Sequence, residues 1–175
     1  MKIRIKFRKW GCMKFIGHLD MLRFFQKAMR RADVDIRYSE GFSPHQIMSF
    51  AAPLGVGITS DGEYFDIEVH STKTAEEMIA DINAVLVDGV EITGYVVLRD
   101  DAKTSMSIVA AADYVLSYKE GYDCPYSFDE WSDTYQICRG TYPRFTSITG
   151  VGFQRRIEFL SAEESDSELL RSVLV

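Results

Sequence analysis

Residues 17–57, GHLDMLRFFQKAMRRADVDIRYSEGFSPHQIMSFAAPLGVG, decide the fold because they hold a helix, a turn-rich loop and a strand in succession. Gly17 is an acceptable helix N-cap, and Asp20 then lies in the first turn, where a carboxylate interacts favourably with the helix dipole. Apolar residues follow at helical spacing, at Leu22, Phe25, Met29 and Ala32. The first half of this stretch is therefore predicted to be an amphipathic helix.

The face of this helix opposite the apolar stripe is strongly basic. An arc of about 100° holds Asp20, Arg23, Lys27, Arg30 and Arg31. Asp20 is the single acid among them, so the basic residues are a candidate anion-binding site, and a solvated basic face is the alternative. His18 projects on the side of Leu22 and Phe25, which favours a hydrogen-bonded structural histidine over a ligand.

The second half of the stretch combines turn residues with aromatic side chains. Residues 34–39 are predicted to be extended, Gly41-Phe42-Ser43-Pro44 is typical of a turn, and Gln46–Ala51 alternates like a strand. Tyr38, Phe42 and Trp10 supply aromatic faces close to the basic helix, and Arg37, Lys9 and Lys14 flank the same loops. Arginine and aromatic residues together are typical of single-stranded nucleic-acid binding, although Phe42 could instead fill the core.

The segments on either side of this stretch predict further strands and a second helix. Residues 2–9 alternate as a strand, Ser60-Asp61-Gly62 is predicted to turn the chain into a strand over Glu63–His70, and Val90–Leu98 is another strand. Thr74-Ala75-Glu76-Glu77 is a capping box that opens a helix ending at Asp88-Gly89. The order strand, helix, strand, strand, helix, strand is the ferredoxin-like βαββαβ arrangement.

In that arrangement the first and third strands are neighbours. The basic residues on the open face of the first strand, Lys2, Arg4, Lys6 and Arg8, would then lie across from Asp66 and Glu68. Cross-strand ion pairs are therefore expected on this face.

The rest of the chain is predicted to form a second, smaller ferredoxin-like βαββα unit. Its elements are expected to be a strand over Ser107–Tyr118, a helix over Ser127–Tyr135, a strand with its turn over Gln136–Thr149, a strand over Phe153–Leu160 and a helix over Ser161–Val175. The chain is thus predicted to be an α+β tandem. Its domains would be residues 1–100, with the basic helix and the GFSPH loop, and residues 101–175.

Charge is unevenly distributed along the 175 residues. Residues 1–45 hold eleven Lys and Arg against four acids, a net charge of +7, and the remaining nine Lys and Arg face 22 acids, a net charge of −13. This asymmetry suggests a region that binds a polyanion, although the two regions could neutralise one another. No apolar run reaches about 18 residues and the N-terminus alternates charge with hydrophobe, so we expect a cytoplasmic protein that does not enter a membrane.

The three cysteines, Cys12, Cys124 and Cys138, are an odd number and show no C-x-x-C spacing. This argues against disulfides, a zinc ribbon or an iron–sulfur cluster, and we predict no cofactor. No ligand spacing such as H-E-x-x-H joins Cys12, His18, Asp20 and His45, so no metal site is predicted either. His45, on a loop, and His18 are candidates for a general acid–base role.

The runs GHLDMLRFF, RRADVDIRYSEGFSPHQIMSFAAPLGVG and EYFDIEV resemble the uncharacterised bacterial family of radical-SAM-linked proteins. The resemblance covers residues 2–99 and, through IVAAADYVLSY, extends to about residue 118; the family usually has Ser in place of Gly17 and Asn in place of Ser43. Its members stand beside radical-SAM enzymes or are fused to them, some with a cobalamin-binding domain. Their gene surroundings imply RNA metabolism. Residues expected to have structural roles in the matched motif are Gly17, Asp20, Ser39, Gly41, Pro44, Pro53 and Gly57.

Three functions follow as hypotheses. The first is a non-catalytic RNA-binding or substrate-presenting partner of a separate radical-SAM enzyme, in tRNA or rRNA modification or processing. Its RNA-binding residues would be Arg23, Lys27, Arg30, Arg31, Arg37, Tyr38 and Phe42. The second is a small, metal-independent RNA-processing enzyme that uses His45 or His18, by analogy with tandem ferredoxin-like ribonucleases. The third is a protein-docking adaptor that binds no nucleic acid. The oligomeric state is not predicted.

Overall fold

A computed structural model of the chain describes residues 1–118 and 151–159. Its strands are β1 (Lys2–Lys9), β2 (Met48–Phe50), β3 (Ile58–Glu68), β4 (Val90–Leu98), β5 (Val109–Tyr118) and β6 (Val151–Phe159). Its helices are α1 (His18–Arg31), α2 (Ala75–Asn83) and the short α3 (Ser105–Ile108), with a 3-10 turn over Gly11–Phe15. The protein therefore has a mixed α+β fold, as the sequence predicted.

The strands form one sheet in the order β4-β1-β3-β6-β5, and β2 also pairs with β3. Strands β4, β1, β3 and β2 form a four-stranded antiparallel sheet. Strand β2 pairs with the carboxyl-terminal part of β3, whereas β6 runs parallel to the amino-terminal part of β3 from Ile58 to Gly62. The sheet continues past residue 100 through β5 and β6, and the division into domains 1–100 and 101–175 stays a prediction.

Local sequence signals fix several element boundaries. Gly17 is the N-cap of α1 in extended conformation, and Thr74 and Glu77 form the capping box of α2. Strand β4 has the predicted bounds. Helix α2 ends at Asn83, earlier than Asp88-Gly89, because Val85 and Leu86 donate to the carbonyls three residues before them and tighten the chain into a turn.

Two predicted segments differ from the structure. Ser60-Asp61-Gly62 is not a turn but lies within β3, where the pairing with β6 shifts register and the Ser60 hydroxyl accepts a hydrogen bond from the Gly62 amide. Residues 34–39 are extended in part, as predicted, since Ile36 and Tyr38 make isolated bridges to Val69 and Gln46, but they form no regular strand. An irregularity inside a strand has the same residue signature as a turn, which explains the first difference.

The second half of the chain is described in part. Residues 105–108 are helical, so the strand predicted from Ser107 begins at Val109. The strand predicted over Phe153–Leu160 is β6, Val151–Phe159. The elements predicted over 127–135, 136–149 and 161–175 lie outside the described residues.

The core lies between the sheet and helices α1 and α2. Ile3, Ile5 and Phe7 of β1 are buried, and the Phe7 ring meets the Phe25 ring of α1 edge-to-face at a centroid distance of 4.9 Å. The buried residues of α1 are Met21, Phe25, Ala28 and Met29. Leu22 and Ala32 are only half-buried, so the buried face of α1 is rotated toward Met21 relative to the predicted stripe.

The opposite face of the sheet carries the predicted cross-strand ion pair. Arg4 lies opposite Asp66 in the ladder, and its Nε and Nη2 donate to Oδ1 and Oδ2 of Asp66 at 2.8 and 3.1 Å. Arg4 also donates to the Lys103 carbonyl at 2.8 Å, and the Ser105 amide donates to Asp66 at 2.6 Å. This buried pair therefore fixes residues 103–105 over the sheet.

Among the described strands β4 is outermost on one side of the sheet, and the side chain of Asn83 occupies its outer edge at Ile92. Its Nδ2 donates to the Ile92 carbonyl at 2.9 Å, and its Oδ1 accepts from the Ile92 amide at 2.8 Å. One amide side chain thus satisfies both backbone groups that Ile92 directs away from the sheet. This contact also fixes the end of α2 against β4.

Candidate nucleic-acid interface

The basic face of α1 is exposed as predicted. Arg23, Lys27, Arg30 and Arg31 are all exposed. Asp20 forms an ion pair with Arg23 at 3.1 Å, and Arg31 donates to the Val85 carbonyl at 3.0 Å. The side chains of Lys27 and Arg30 have no ion-pair or hydrogen-bond partner within residues 1–118 and 151–159. These two side chains are therefore the cations of α1 that are free to meet an anion.

A closed loop, Ser39–His45, projects beside this helix. The Ser39 amide donates to the His45 carbonyl at 2.8 Å, the His45 amide donates to the Ser39 hydroxyl at 3.1 Å, and Tyr38 and Gln46 form a β-bridge at its base. Gly41 has a φ of +117°, which only glycine adopts readily. Local backbone geometry and the Ser39 side chain therefore hold the loop in one shape.

Phe42 lies at the tip of this loop with its side chain fully exposed. It does not fill the core, which was the alternative for this residue. Tyr38, at the base, is 44% exposed. The structure thus presents one aromatic ring completely to solvent and a second in part, and both rings are available for stacking.

Gln46 joins the loop to the basic helix. Its Nε2 donates to the Gln26 carbonyl of α1 at 3.2 Å and to the Tyr38 hydroxyl at 3.4 Å. Gln26 directly precedes Lys27 and lies one turn before Arg30. The loop base and the free cations of α1 are therefore neighbours. Gln46 is buried, and no sequence pattern pointed to its role.

Arg37 and Lys9 do not join this surface. Arg37 pairs with Glu68 at 3.1 Å, and because Glu68 alternates with the core residues Ile67 and Val69, the pair lies on the face of the sheet away from α1. Lys9 is buried and donates its Nζ to the Ile16 carbonyl at 2.8 Å, so the expectation that it flanks the anion site is wrong. Lys9 continues the two-residue spacing of Ile3, Ile5 and Phe7, so the alternation of the strand itself indicates that this lysine lies on the apolar face.

Two other residues near the predicted site have local partners. The Arg8 guanidinium lies over the Trp10 ring, 4.7 Å from the ring centre, and so covers one face of the ring. Lys14 is half-buried, and its Nζ lies 5.2 Å from the centre of the Phe15 ring. Within the described part of the chain, no hydrogen bond or ion pair joins the side chain of Trp10 or Lys14 to the Ser39–His45 loop or to the basic face of α1.

The two histidines have different surroundings. The His18 ring is half-buried, and it meets the Phe50 ring edge-to-face at a centroid distance of 5.1 Å. This is a core contact in place of the expected hydrogen bond. Burial lowers the pKa of His18. His45 is exposed, and its Nδ1 lies 2.8 Å from the Ser39 hydroxyl and 3.3 Å from the Ser43 carbonyl. A carbonyl only accepts, so the contact with Ser43 fits a protonated Nδ1 that helps to close the loop.

The described part of the chain shows neither a metal-binding group nor a membrane-spanning helix. Within residues 1–118 and 151–159, no three His, Cys, Asp or Glu side chains converge as metal ligands would. Cys12 is exposed, and Cys124 and Cys138 lie outside the described residues. None of the described helices is both long and apolar enough to cross a bilayer.

The glycines of the predicted motif occupy defined positions around the site. Gly57 has a φ of +87°, and its amide donates to the Lys14 carbonyl at 2.8 Å. This bond ties the Pro53–Gly57 segment to the turn that precedes α1. Gly17 and Gly57 therefore fix the start of the basic helix.

The chain was compared with known protein families and with functionally curated proteins. No functionally curated protein matches the chain in sequence. The match to a family extends over residues 2–140, which include every described element except β6. Since this is well over half of the chain, the protein belongs to the family described as uncharacterized proteins conserved in bacteria (DUF2344).

Proposed function

We propose that this protein is a non-catalytic accessory protein of a radical-SAM enzyme, which it assists by binding RNA or presenting it as substrate. The enzyme is a separate chain, and the process is tRNA or rRNA modification or processing. The observation that carries the RNA part of the proposal is the contact between Gln46 and Gln26, which joins an exposed aromatic loop to the free cations of α1. The enzyme part rests on the sequence resemblance described above.

Each part of the surface has a distinct role in this proposal. Lys27 and Arg30 neutralise phosphates, with Arg23 and Arg31 as weaker contributors because each already has a partner. Phe42 and Tyr38 stack on unpaired bases. Arg37 contributes little, because Glu68 neutralises it on the other face of the sheet. The bound RNA would therefore be single-stranded, since a duplex hides the faces of its bases.

The proposal includes a more specific fold. Residues 1–100 would be a ferredoxin-like unit, which the strand order β4-β1-β3-β2 supports. Residues 101–175 would be a second, smaller unit of the same kind, to which β5 and β6 belong. Tandem units of this type present two neighbouring surfaces, so one can bind RNA while the other is directed to the enzyme.

The histidines are assigned structural roles in this proposal. His45 closes the Ser39–His45 loop through Ser39 and Ser43, and His18 packs against Phe50. These contacts account for both residues without acid–base chemistry. An RNA-processing enzyme is therefore the second hypothesis to be separated by experiment.

The test is direct binding of labelled RNA. Fluorescence anisotropy would be measured with a single-stranded RNA and with a duplex of the same sequence at low salt. We expect the single strand to bind more tightly than the duplex. Absence of binding to either RNA would exclude RNA binding and leave a protein-docking adaptor. Cleavage of the single strand during incubation, abolished in His45→Ala or His18→Ala, would instead identify the enzyme.

The cellular partners require a second experiment. Cross-linking in cells followed by sequencing of attached RNA would identify the RNA, and mass spectrometry of the same sample would identify attached proteins. The proposal expects tRNA or rRNA together with a radical-SAM enzyme. Recovery of RNA without such an enzyme would support the RNA-binding part and contradict the enzyme part.

A further inference from the structure

A second exposed surface lies at one end of the sheet. Phe15, Leu19 and Val56 are 63%, 66% and 55% exposed, and they are termed here the apolar end patch. Val56 Cγ2 lies 3.7 Å from the position that a Cβ at Gly17 would take. The neighbouring residues are also connected, because the Gly57 amide donates a hydrogen bond to the Lys14 carbonyl. The three large hydrophobic side chains are therefore attached to main-chain positions that lie close to one another.

The chemistry of this patch does not fit RNA. Leu19 and Val56 have neither an aromatic face for stacking nor a charge for a phosphate. Transferring aliphatic side chains of this size from water into an apolar environment is favourable. A protein surface with its own apolar side chains provides such an environment, so the patch fits a protein partner.

The surroundings of the patch define the charge of that partner. Lys14 has its Nζ 5.2 Å from the centre of the Phe15 ring, and Arg23 follows Leu19 by one turn of α1. Asp20 offsets part of this charge through its pair with Arg23, but both side chains are about 70% exposed and the pair is screened by water. The rim of the patch is thus weakly basic, and carboxylates on the partner would complement it.

A second copy of this chain is a poorer fit. Three side chains are far fewer than the roughly 20–30 residues that each partner contributes to a standard interface, so a stable interface must extend beyond the patch. It would extend along α1, and a symmetric pair would then bring basic residues of two copies together. Repulsion between like charges disfavours that arrangement.

We infer that the apolar end patch is a docking surface for a different protein, one that presents aliphatic side chains flanked by carboxylates. Phe15, Leu19 and Val56 form the centre of the interface, and Lys14 and Arg23 form its basic rim. This inference goes beyond the proposed function, which assigns RNA to Lys27, Arg30 and the Ser39–His45 loop, with Arg23 and Arg31 as weaker contributors. Arg23 belongs to both surfaces, so the test changes Leu19, to which the proposed function gives no role.

The probe is a synthetic amphipathic helical peptide with leucines at positions i, i+3, i+4 and i+7 and glutamates on its flanks. Its affinity is measured by fluorescence anisotropy and compared with that of a peptide in which lysines replace the glutamates. We expect the glutamate peptide to bind about tenfold more tightly. Leu19→Ser should weaken its binding about tenfold, as truncation at the centre of an interface does.

The matched control is Val97→Ser, which changes another hydrophobic side chain, 51% exposed on β4. It should leave the affinity for the peptide unchanged. Phe42→Ala should also leave the affinity for the peptide unchanged, but it should lower the affinity for RNA. Equal binding of the two peptides, equal effects of Leu19→Ser and Val97→Ser, or no peptide binding would overturn the inference. So would a dimer of the wild type that Leu19→Ser dissociates, because the patch would then join two copies of this chain.

Discussion

Gln46 donates a hydrogen bond of 3.2 Å to the backbone carbonyl of Gln26, and this bond connects the base of the Ser39–His45 loop to the middle of α1. The acceptor is a main-chain atom of a regular helix, so its position is well defined. The base of the loop is consequently held beside the segment of α1 that carries Lys27 and Arg30. Binding RNA at this surface would require little reordering of the protein.

Removing both free cations of α1 should reduce the salt dependence of RNA binding. Each phosphate neutralised on a single strand contributes about −0.7 to the slope of log K against log salt, so the double variant Lys27→Ala, Arg30→Ala should flatten it by about 1.4. The matched control is Lys73→Ala, Arg99→Ala, which removes two exposed cations that pair with Asp81 and Asp101. Equal changes of slope in both variants would mean that net charge, not the α1 surface, governs binding.

Removing the exposed ring of the loop should weaken RNA binding without altering the salt dependence. Stacking of one base on an aromatic side chain contributes about 1–3 kcal/mol and releases no counterions, so Phe42→Ala should lower affinity by this amount at every salt concentration. Phe42→Trp should retain binding. Phe15→Ala, which removes a different exposed ring, serves as the control. If Phe42→Ala bound RNA with wild-type affinity, the ring at the tip of the loop would not be part of the RNA interface.

Breaking the buried ion pair should destabilise the fold strongly. Arg4 is 2% exposed, and Asp66→Ala would remove the carboxylate that accepts two of its hydrogen bonds, at a cost of about 3–5 kcal/mol. Glu68→Ala removes the next acid on the same face of β3, but its partner Arg37 is half-exposed, so that change should cost no more than about 1 kcal/mol. Urea unfolding of both variants measures the difference. Similar losses would show that burial does not distinguish the two pairs.

The stability of the protein should depend on the protonation of His18. Burial lowers the pKa of His18 in the folded state, so the unfolded chain binds a proton more readily than the folded one. The free energy of unfolding should therefore fall as pH decreases below about 6.5, the ordinary histidine pKa. His18→Phe retains an aromatic contact with Phe50 and cannot titrate. Urea unfolding at pH 7.5 and 5.5 should show a smaller loss in His18→Phe, and an equal loss would assign the effect to other groups.

A serine at the start of α1 should stabilise the protein. Gly17 has φ −73° and ψ 165°, an extended conformation that serine adopts readily, and its added Cβ would meet only Val56 at an ordinary distance of 3.7 Å. The hydroxyl can accept a hydrogen bond from the first turn, so Gly17→Ser should raise stability by about 0.5–1 kcal/mol. Gly57→Ser is the control, and its positive φ should make it destabilising by about 1–2 kcal/mol. A loss of stability in Gly17→Ser would contradict the assignment of the N-cap.

Local patterns were sufficient to predict much of the fold. The helical spacing after Gly17, the capping box at Thr74 and the apolar run of β4 each depend on residues close in sequence. The alternation of β1 and β3, with the ferredoxin-like strand order, predicted that the basic face of β1 lies across from Asp66 and Glu68. The structure forms one such pair, Arg4 with Asp66, whereas Glu68 pairs with Arg37.

The features that could not be predicted depend on distant contacts. Arg31 is occupied because the carbonyl of Val85, in the turn that follows α2, accepts a hydrogen bond from it. Similarly, nothing distinguishes Gln46 from other polar residues in the sequence, because its hydrogen bond to Gln26 forms only when α1 has packed in the folded protein. The charged residues of the candidate site were visible in the sequence, but which of them are free was not.

The contact between Asn83 and Ile92 has a consequence for how this protein behaves at high concentration. An outer strand with unsatisfied amides and carbonyls is a template on which another chain can pair and extend the sheet. At Ile92 that template is interrupted by a side chain that already occupies both backbone groups. Among the described strands β4 is outermost on this side, so another chain that paired along it would have to displace the Asn83 side chain at Ile92.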